Sequence, residues 1–261
     1  MEFRLILSVC GGDTLPVNYQ YPISSWIYRV IGQADVGYAD FLHRGGFQHD
    51  WRHFKMFTFS QLDARPYRVF GNRMRLLGKE ISLTVRFAVD SSMEHFITGL
   101  FLQQRLSLGD RYNRVDLEVT RVESIAPPVF SETMTYRCLS PICVSRTRAN
   151  RTTEYLTPEV SDYGELLVRN LVHKAAALVP AGDAISGDFP EFQFRLLNTP
   201  RKKGIHVKDY SESHTQLIGY LFHFELTAPV ELHELGYEAG FGEKNSMGFG
   251  CVEAVQKPSN T

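Results

Sequence analysis

The sequence predicts an α+β protein in which each half of the chain follows the order strand, helix, two strands, helix, strand. Three observations predict it: segments with alternating apolar residues, segments with apolar residues at helical spacing, and a Pro127-Pro128 pair between two similar series. This βαββαβ order is that of the ferredoxin-like (RRM-like) fold. Because 261 residues suffice for two such units, we expect tandem ferredoxin-like domains over residues 1–126 and 127–261.

The N-terminal half contains the elements of the first unit in order. Apolar residues alternate over 2–9, which predicts a strand, and those from Ile23 to Ile31 recur at helical spacing. A second short helix is expected over 35–43, before the pair Gly45-Gly46. The remaining expected elements are strands at 54–60 and 67–87, a helix from Met93 to Phe101 and a strand at 114–122.

The C-terminal half repeats the order with less regular spacing. The expected elements are a strand at 134–144, a helix from Tyr163 to Leu171, strands at 190–197 and 217–227, a short helix near Pro229 and a strand at 249–256. Since many activities use this fold, the fold by itself predicts no function.

Composition places the chain among globular proteins. Hydrophobic residues make up 43% and charged residues 22%, which excludes global disorder. The formal net charge of −1 argues, by itself, against a nucleic-acid-binding protein. Four cysteines without a Cys-x-x-Cys pair predict reduced thiols rather than a disulfide framework. Because we find no signal peptide and no long apolar run, we expect a cytoplasmic protein that does not contact membrane.

The small net charge conceals three basic windows, residues 65–86, 137–151 and 195–208. Together they contain 15 basic residues and 1 acidic residue, so the rest of the chain has a net charge of −15. Segment 200–204 lies between two predicted strands and is predicted to be a loop or hairpin, and segment 145–151 is similarly polar and loop-like. Both can neutralise phosphates. The alternative is a solvated charged face with no binding role.

A glycine-rich loop, residues 240–250, is the most unusual local feature. Its sequence GFGEKNSMGFG follows a predicted helix and precedes a predicted strand. Consecutive backbone N–H groups in such a loop suit phosphate oxygens, and Lys244 adds a positive charge. Equally, glycines allow a helix and a strand to pack closely. The spacing matches no nucleotide-binding motif, so both interpretations stay open.

Several segments together resemble one family. They are the glycine-rich loop, residues 15–25 (LPVNYQYPISS), Ile27-Tyr28, residues 41–43 (FLH) and residues 54–60 (FKMFTFS). The chain resembles, from residue 2 to 256, the CRISPR-associated endoribonucleases of the repeat-associated mysterious protein (RAMP) superfamily, which cut precursor crRNA. The resemblance implies tandem ferredoxin-like domains and an antiviral, RNA-processing role.

The resemblance also implies a reaction. In this family the 2′-OH of CRISPR repeat RNA attacks the adjacent phosphate, leaving a 2′,3′-cyclic phosphate and a 5′-OH without a metal or other cofactor. The implied partners are repeat RNA and crRNA, while subunits of a CRISPR effector complex and a second copy of the chain stay open as partners. The predicted RNA-binding residues are Arg146, Arg148, Arg151, Arg201, Lys202, Lys203, Gly240, Gly242, Lys244, Gly248 and Gly250.

Three residues match catalytic positions in one branch of the family: Tyr28, His43 and Lys55. By this resemblance His43 is a base or acid, Tyr28 its proton-transfer partner and Lys55 the group that stabilises the phosphorane. Which of Tyr28 and His43 takes the proton stays open, and His49 or His53 is an alternative imidazole. Without the resemblance, the same three residues would be read as a packing tyrosine, a helix-end cation and a solvated lysine.

Other interpretations are also retained. The group His43, His49, Asp50 and His53 does not have the spacing of a known metal motif, so no metal is predicted. The principal alternative function is a non-catalytic RAMP subunit that only binds crRNA. A ferredoxin-like metabolic enzyme or small-molecule sensor would instead have an apolar ligand pocket.

Overall fold

The computed structural model describes residues 1–110, 112–179, 189–207 and 215–255. The elements up to residue 125 are β1 (Glu2–Gly11), β2 (Thr14–Pro16), α1 (Gln20–Ala34), α2 (Val36–Arg44), β3 (Phe47–His49), β4 (Arg52–Phe54), β5 (Phe57–Phe59), β6 (Tyr67–Phe70), β7 (Arg73–Leu76), β8 (Glu80–Phe87), α3 (Asp90–Leu102), β9 (Arg105–Gly109) and β10 (Arg114–Ile125). Those that follow are β11 (Thr133–Cys138), β12 (Ser145–Thr147), β13 (Thr153–Tyr155), α4 (Tyr163–Leu178), β14 (Gln193–Leu196), β15 (Arg201–Val207), β16 (Thr215–Leu221), β17 (His223–Thr227), α5 (Val230–Ala239), a 3₁₀ turn (Asn245–Met247) and β18 (Val252–Ala254).

The first sheet has the strand order β5-β8-β1-β10-β9, and all its pairs are antiparallel. The four strands of the predicted unit are, in chain order, β1, β5, β8 and β10, so their order across the sheet is 2-3-1-4. The additional strand β9 lies at the edge, beside β10. Alternate residues of β1, such as Leu5 and Leu7, are buried in one core with Ile27 of α1 and Phe96 of α3. The alternating apolar residues of the strand and the helically spaced apolar residues of α1 and α3 therefore pack against each other in the same core.

The second sheet, β14-β17-β11-β18, has the same 2-3-1-4 order. Its core joins Tyr136 of β11 and Phe224 of β17 with Leu167 of α4 and Leu232 of α5. The repeated topology confirms the predicted fold of two tandem ferredoxin-like units. The predicted boundary at residues 126/127 stays a prediction, with the strands of each sheet lying on one side of it.

The structure also differs from the predicted elements. The single run predicted at 67–87 is three strands, and the strand predicted at 134–144 ends at Cys138. Segment 145–151, predicted as a loop, instead forms part of the hairpin β12–β13, whereas segment 200–204, predicted as a loop or hairpin, leads into the hairpin β15–β16. Lys208 of the third basic window and residue 256 of the last predicted strand lie outside the described residues. Across the described ranges, no helix is long and apolar enough to cross a membrane.

A buried ion pair of the first unit, Arg86 with Glu2, contacts the second unit through Tyr237 and Val252. Arg86 of β8 is only 1% exposed, and its Nε lies 3.1 Å from a carboxylate oxygen of Glu2 in β1. The guanidinium stacks 3.5 Å from the ring of Tyr237 in α5, whose hydroxyl donates to Glu2 at 2.6 Å. Arg86 also donates to the backbone oxygen of Val252 in β18. Although it belongs to the first basic window, Arg86 is therefore a structural residue.

Candidate active site

The structure brings Tyr28 and His43 into contact. Tyr28 lies half-buried on α1, and His43 lies exposed in the last turn of α2. Their ring centroids are 5.6 Å apart and the ring planes are inclined by 38°. Because the short connection at Asp35 turns α2 back along α1, residues 15 positions apart in sequence meet at one end of the helix pair.

Lys55 lies beside the same helix end. Its ammonium donates hydrogen bonds to the backbone oxygens of Leu42 and His43, the second at 3.4 Å. These carbonyls belong to the last turn of α2, where a cation is favourable and the oxygens lack partners within the helix. Burial lowers the pKa of the half-buried Lys55. The three predicted catalytic residues therefore lie together, with Lys55 attached to the backbone of His43.

The glycine-rich loop of the second unit reaches this site. The side chains of Tyr28 and Ser246 are hydrogen-bonded, and the hydroxyl of Ser24 donates to the backbone oxygen of Ser246 at 2.6 Å. Burial raises the pKa of Tyr28 despite this hydrogen bond. The sequence analysis singled out the loop but missed Ser246, because a lone serine among glycines gives no signal of what it contacts.

Burial favours the packing interpretation for the glycines of this loop. Positive φ angles occur at Gly240 (91°), Gly242 (69°), Gly248 (90°) and Gly250 (80°), and all four residues are buried. A Cβ at Gly250, for example, would overlap the carbonyl oxygen of Phe241. Contact between these glycines and RNA stays a prediction, whereas Lys244 is exposed and accessible to a ligand.

A buried lysine, also missed by the sequence analysis, holds the loop from inside. Nζ of Lys174 on α4 donates hydrogen bonds to Gly240 O at 2.5 Å, Gly242 O at 2.9 Å and Asn245 Oδ1 at 2.7 Å. Burial lowers its pKa to about 7, against the opposing effect of Glu243. The N–H donors of Lys174 are used to order the loop and are not available to RNA.

A polar cleft of about 890 Å³ collects one arginine from each basic window. Arg65, Arg137 and Arg201 all line it, and all three are exposed. Arg4 of β1 lines it as well. Windows that are far apart in sequence therefore meet at one surface formed by both units, a site suited to an extended polyanion.

The other predicted RNA-binding residues lie outside the lining of this cleft. Arg146 and Arg148 pair with Glu154 at 2.8 and 2.9 Å, and Arg146 also pairs with Asp162 at 2.9 Å. These pairings correct the picture of an unopposed basic window, because the acids come from just beyond it. Hydrogen bonds from Arg148 and Arg146 lower the pKa of Glu154 to about 2. In the same hairpin, Arg151 is exposed.

Lys202 and Lys203 of β15 differ from each other in burial. Lys202 is exposed, whereas Lys203 is half-buried and its pKa is lowered by burial and by Arg201. Binding of RNA by either residue stays a prediction. His53, one of the alternative imidazoles, is exposed on β4 with its ring beside Gly45.

Comparisons with known proteins cover both units. The family model "CRISPR-associated protein Cas6, N-terminal" matches residues 14–120, and "CRISPR associated protein Cas6, C-terminal" matches residues 125–254. The chain is 28% identical over 259 residues to the CRISPR-associated endoribonuclease Cas6 1 of Methanocaldococcus jannaschii, covering 98% of this chain and 93% of that protein. It is 27% identical over 244 residues to the CRISPR-associated endoribonuclease Cas6 of Pyrococcus furiosus, covering 92% and 83%.

The fold is also found among solved structures. One, described as "Characterization of a Cas6-related gene from Pyrococcus furiosus", superposes with a TM-score of 0.82 at 21% identity and covers 98% of this chain and 99% of that chain. At this identity the likeness supports the fold alone. The family models and relatives confirm the predicted resemblance, and the relatives' names agree with the predicted endoribonuclease class.

Proposed function

The chain belongs to the Cas6 family, and from this premise we propose that it is an endoribonuclease that cleaves CRISPR repeat RNA to release crRNA. The proposed reaction is attack of the RNA's own 2′-OH on the adjacent phosphate, which breaks the bond to the 5′-oxygen. The products carry a 2′,3′-cyclic phosphate and a 5′-OH, and no metal takes part.

One observation supports the chemistry most directly, the juxtaposition of Tyr28, His43 and Lys55 at the exposed end of α2. The reaction needs a group that accepts a proton from the 2′-OH, a group that donates to the leaving oxygen, and positive charge near the phosphorane. An imidazole, a phenol and an ammonium supply all three without a metal.

The environment of each group supports a division of roles. Because burial raises the pKa of Tyr28, its phenol is neutral near pH 7 and is a hydrogen-bond donor rather than a base. The imidazole of His43 is exposed, and an imidazole can accept a proton from a hydroxyl group. We therefore assign His43 as the base and Tyr28 as the donor to the leaving oxygen. Lys55 uses two of its three N–H donors on backbone oxygens, and the third can serve a phosphate oxygen.

The cleft lined by Arg65, Arg137 and Arg201 is the surface that we propose for the RNA backbone. Asp63 holds Arg65 at 2.7 Å and Glu253 holds Arg137, which restricts the positions of these guanidinium groups at the cleft. Contacts with phosphates make binding salt-dependent. We further propose that the protein acts in the cytoplasm, while effector-complex subunits and a second copy of the chain stay predicted partners.

The test is cleavage of an RNA carrying the repeat encoded beside the protein's own gene, followed by analysis of the product ends. Cyclic phosphate and 5′-OH ends are expected in excess EDTA, and a 2′-deoxy nucleotide at the scissile position should abolish cutting while RNA binding persists. His43→Ala should lower the single-turnover rate by roughly 10²–10⁴-fold, the usual contribution of a general base.

His95→Gln is a matched control for the loss of an imidazole. His95 lies near Asp35 and Tyr38, at the opposite end of α2 from His43, so the variant should cleave like the unmodified protein. Unchanged cleavage by His43→Ala would remove His43 from the mechanism. Binding of the repeat without any cleavage would instead favour the non-catalytic RAMP subunit.

A further inference from the structure

A second cluster of chemistry-bearing side chains lies between the two units, outside the proposed catalytic residues. The hairpin β3–β4 of the first unit contacts α4 of the second, bringing His49 and Asp50 to His173. One potential ligand atom from each of the three lies within 4.8 Å of the other two. Nε2 of His49 is 3.5 Å from a carboxylate oxygen of Asp50, and the two imidazole centroids are 5.4 Å apart.

Two features of this cluster point to a ligand. Nδ1 of His173 is buried and has no hydrogen-bond partner among the described residues, and such a buried polar atom is costly unless something satisfies it. Asp50 is exposed at the hairpin turn with φ of 54°, so the cluster is open to ions from solvent.

The donor set indicates which ion. Two imidazoles and one carboxylate suit Zn²⁺, which takes nitrogen and oxygen ligands at about 2 Å in a tetrahedral arrangement. Mg²⁺ prefers oxygen ligands throughout, so the two histidines argue against it. Zinc would draw the three ligand atoms to about 3.3 Å from one another, a contraction that the exposed hairpin can make.

We propose that His49, Asp50 and His173 bind one Zn²⁺ ion, with water as the fourth ligand, and that the ion fastens hairpin β3–β4 to α4. His43 and His53 are not members of this group. The hairpin connects α2, which carries His43, to Lys55, so the ion steadies the segment between them without entering the reaction. The site does not depend on the proposed cleavage.

The experiment uses the full chain without a histidine tag, freed of metals by a chelator and dialysed. Titration with Zn²⁺ in a calorimeter should show one ion per chain, and the Tm should rise with Zn²⁺ because only the folded state brings the ligands together. Titration with Co²⁺ should give the intense visible absorption of a four-coordinate site.

Two variants and one control test the assignment. Asp50→Asn changes an exposed side chain and should fold, and it should lower Zn²⁺ affinity by at least about 10-fold, the lower end of the effect of losing a supporting group. His173→Gln should do the same, whereas His53→Ala, in the same hairpin, should bind like the unmodified protein. Absence of binding, or binding that both variants leave unchanged, would overturn the proposal.

The proposal of a zinc site and the proposal of metal-independent cleavage can be refuted independently of each other. EDTA should remove the ion and its effect on the Tm while RNA cleavage continues. Cleavage that stops in EDTA and returns with Mg²⁺ alone would contradict the metal-independent reaction, and the calorimetric titration of the zinc site would still stand by itself.

Discussion

Lys174 is unusual for a lysine because its side chain is buried. It is 2% exposed, yet its Nζ donates to three oxygens of the glycine-rich loop. A signal was present in the sequence, because Lys174 follows Leu167 and Leu171 on the apolar face of α4 at helical spacing. A lysine on such a face either extends its charge to solvent or, as here, satisfies buried oxygens.

Replacing Lys174 with methionine keeps the side-chain length and removes the donors. Three buried oxygens then lose their partner, and each such loss costs about 1–3 kcal/mol. We expect Lys174→Met to lower the free energy of unfolding by about 3 kcal/mol or more. Because the same loop hydrogen-bonds to Tyr28 through Ser246, RNA cleavage should fall as well. Urea denaturation with an unchanged m value provides the measurement.

Lys244→Met is the control, since Lys244 belongs to the same loop and is exposed. Its effect on the free energy of unfolding should stay within about 0.5 kcal/mol, as is usual for surface positions. Equal destabilisation by the two variants would show that the three hydrogen bonds of Lys174 do not contribute to the free energy of unfolding.

At the scale of elements, the C-terminal end of α2 determines where His43 and Lys55 lie. The helix ends at Arg44, and Gly46 then turns the chain with φ of 71° while its N–H donates to Phe41 O at 2.9 Å. The chain returns through hairpin β3–β4, so that the ammonium of Lys55 reaches the last carbonyls of the helix. The paired glycines, which predicted the end of this helix, are therefore also part of how the site is built.

Gly46→Ala should disturb this end of α2. A Cβ would lie 2.5 Å from the carbonyl oxygen of Phe54 and 3.3 Å from Cδ of Lys55, in a conformation that side chains rarely adopt. The strain and overlap together should cost about 2–4 kcal/mol. We expect a lower Tm, and slower cleavage at saturating RNA because Lys55 is displaced.

Gly71→Ala separates the cost of backbone strain from the cost of steric overlap. Gly71 has a similar φ of 57°, but a Cβ there would have no atom within 4 Å. It should cost only the conformational strain, about 1–2 kcal/mol, and cleavage should be unaffected. If the two variants lost the same stability, packing at the end of α2 would have no role.

The predicted elements show which parts of a fold can be inferred from sequence. All five α-helices of the described ranges were expected: α1, α3 and α4 from apolar residues at helical spacing, α2 from its position before paired glycines, and α5 from its start near Pro229. The hairpins β3–β4 and β12–β13 were missed, because three-residue strands are too short to show alternation. The run at 67–87 turns at Gly71 and at Gly78, where glycines interrupt an otherwise strand-like composition.

Three residues of the candidate site could be predicted, but the contacts between them could not. Tyr28, His43 and Lys55 came from a family resemblance, and their contact depends on how α1, α2 and hairpin β3–β4 pack. Sequence patterns contain no information on such packing, so Ser246 could not be placed beside Tyr28, nor His173 beside His49. These contacts join the two units, and residues more than 100 positions apart carry no local signal of meeting.

At the scale of the molecule, the net charge of −1 conceals two features: basic residues are concentrated in three windows, and many of them form ion pairs with acids. Many arginines of the basic windows are neutralised by acids, as Arg73 is by Asp110 at 2.6 Å and Arg195 by Glu225 at 2.8 Å. What distinguishes the proposed RNA surface is therefore its convergence of arginines from three windows in one cleft, rather than an unopposed excess of charge. The position of that cleft depends on how the two units are joined.

The buried network of Arg86, Glu2 and Tyr237 is one polar part of that junction. Arg86→Met preserves much of the side-chain volume but leaves the buried carboxylate of Glu2 without its cation, a change that typically costs about 3–5 kcal/mol. Arg4→Met, on the neighbouring strand β1, removes an exposed pair with Glu123 at 3.7 Å and should cost no more than about 1 kcal/mol. Urea denaturation of both variants gives the comparison.

A double variant tests whether the cost comes from the unpaired charge. Glu2→Gln removes the carboxylate charge and keeps its shape, so adding it to Arg86→Met should recover at least about 1 kcal/mol through the coupling of the two residues. If the losses simply add, the charge pair between Arg86 and Glu2 contributes no stability, and the stacking of Arg86 on Tyr237 would have to account for its effect. Recovery would instead show that charge pairing between β1 and β8 stabilises the network through which Arg86 and Glu2 contact Tyr237 of α5, and with it the junction beside which the cleft forms.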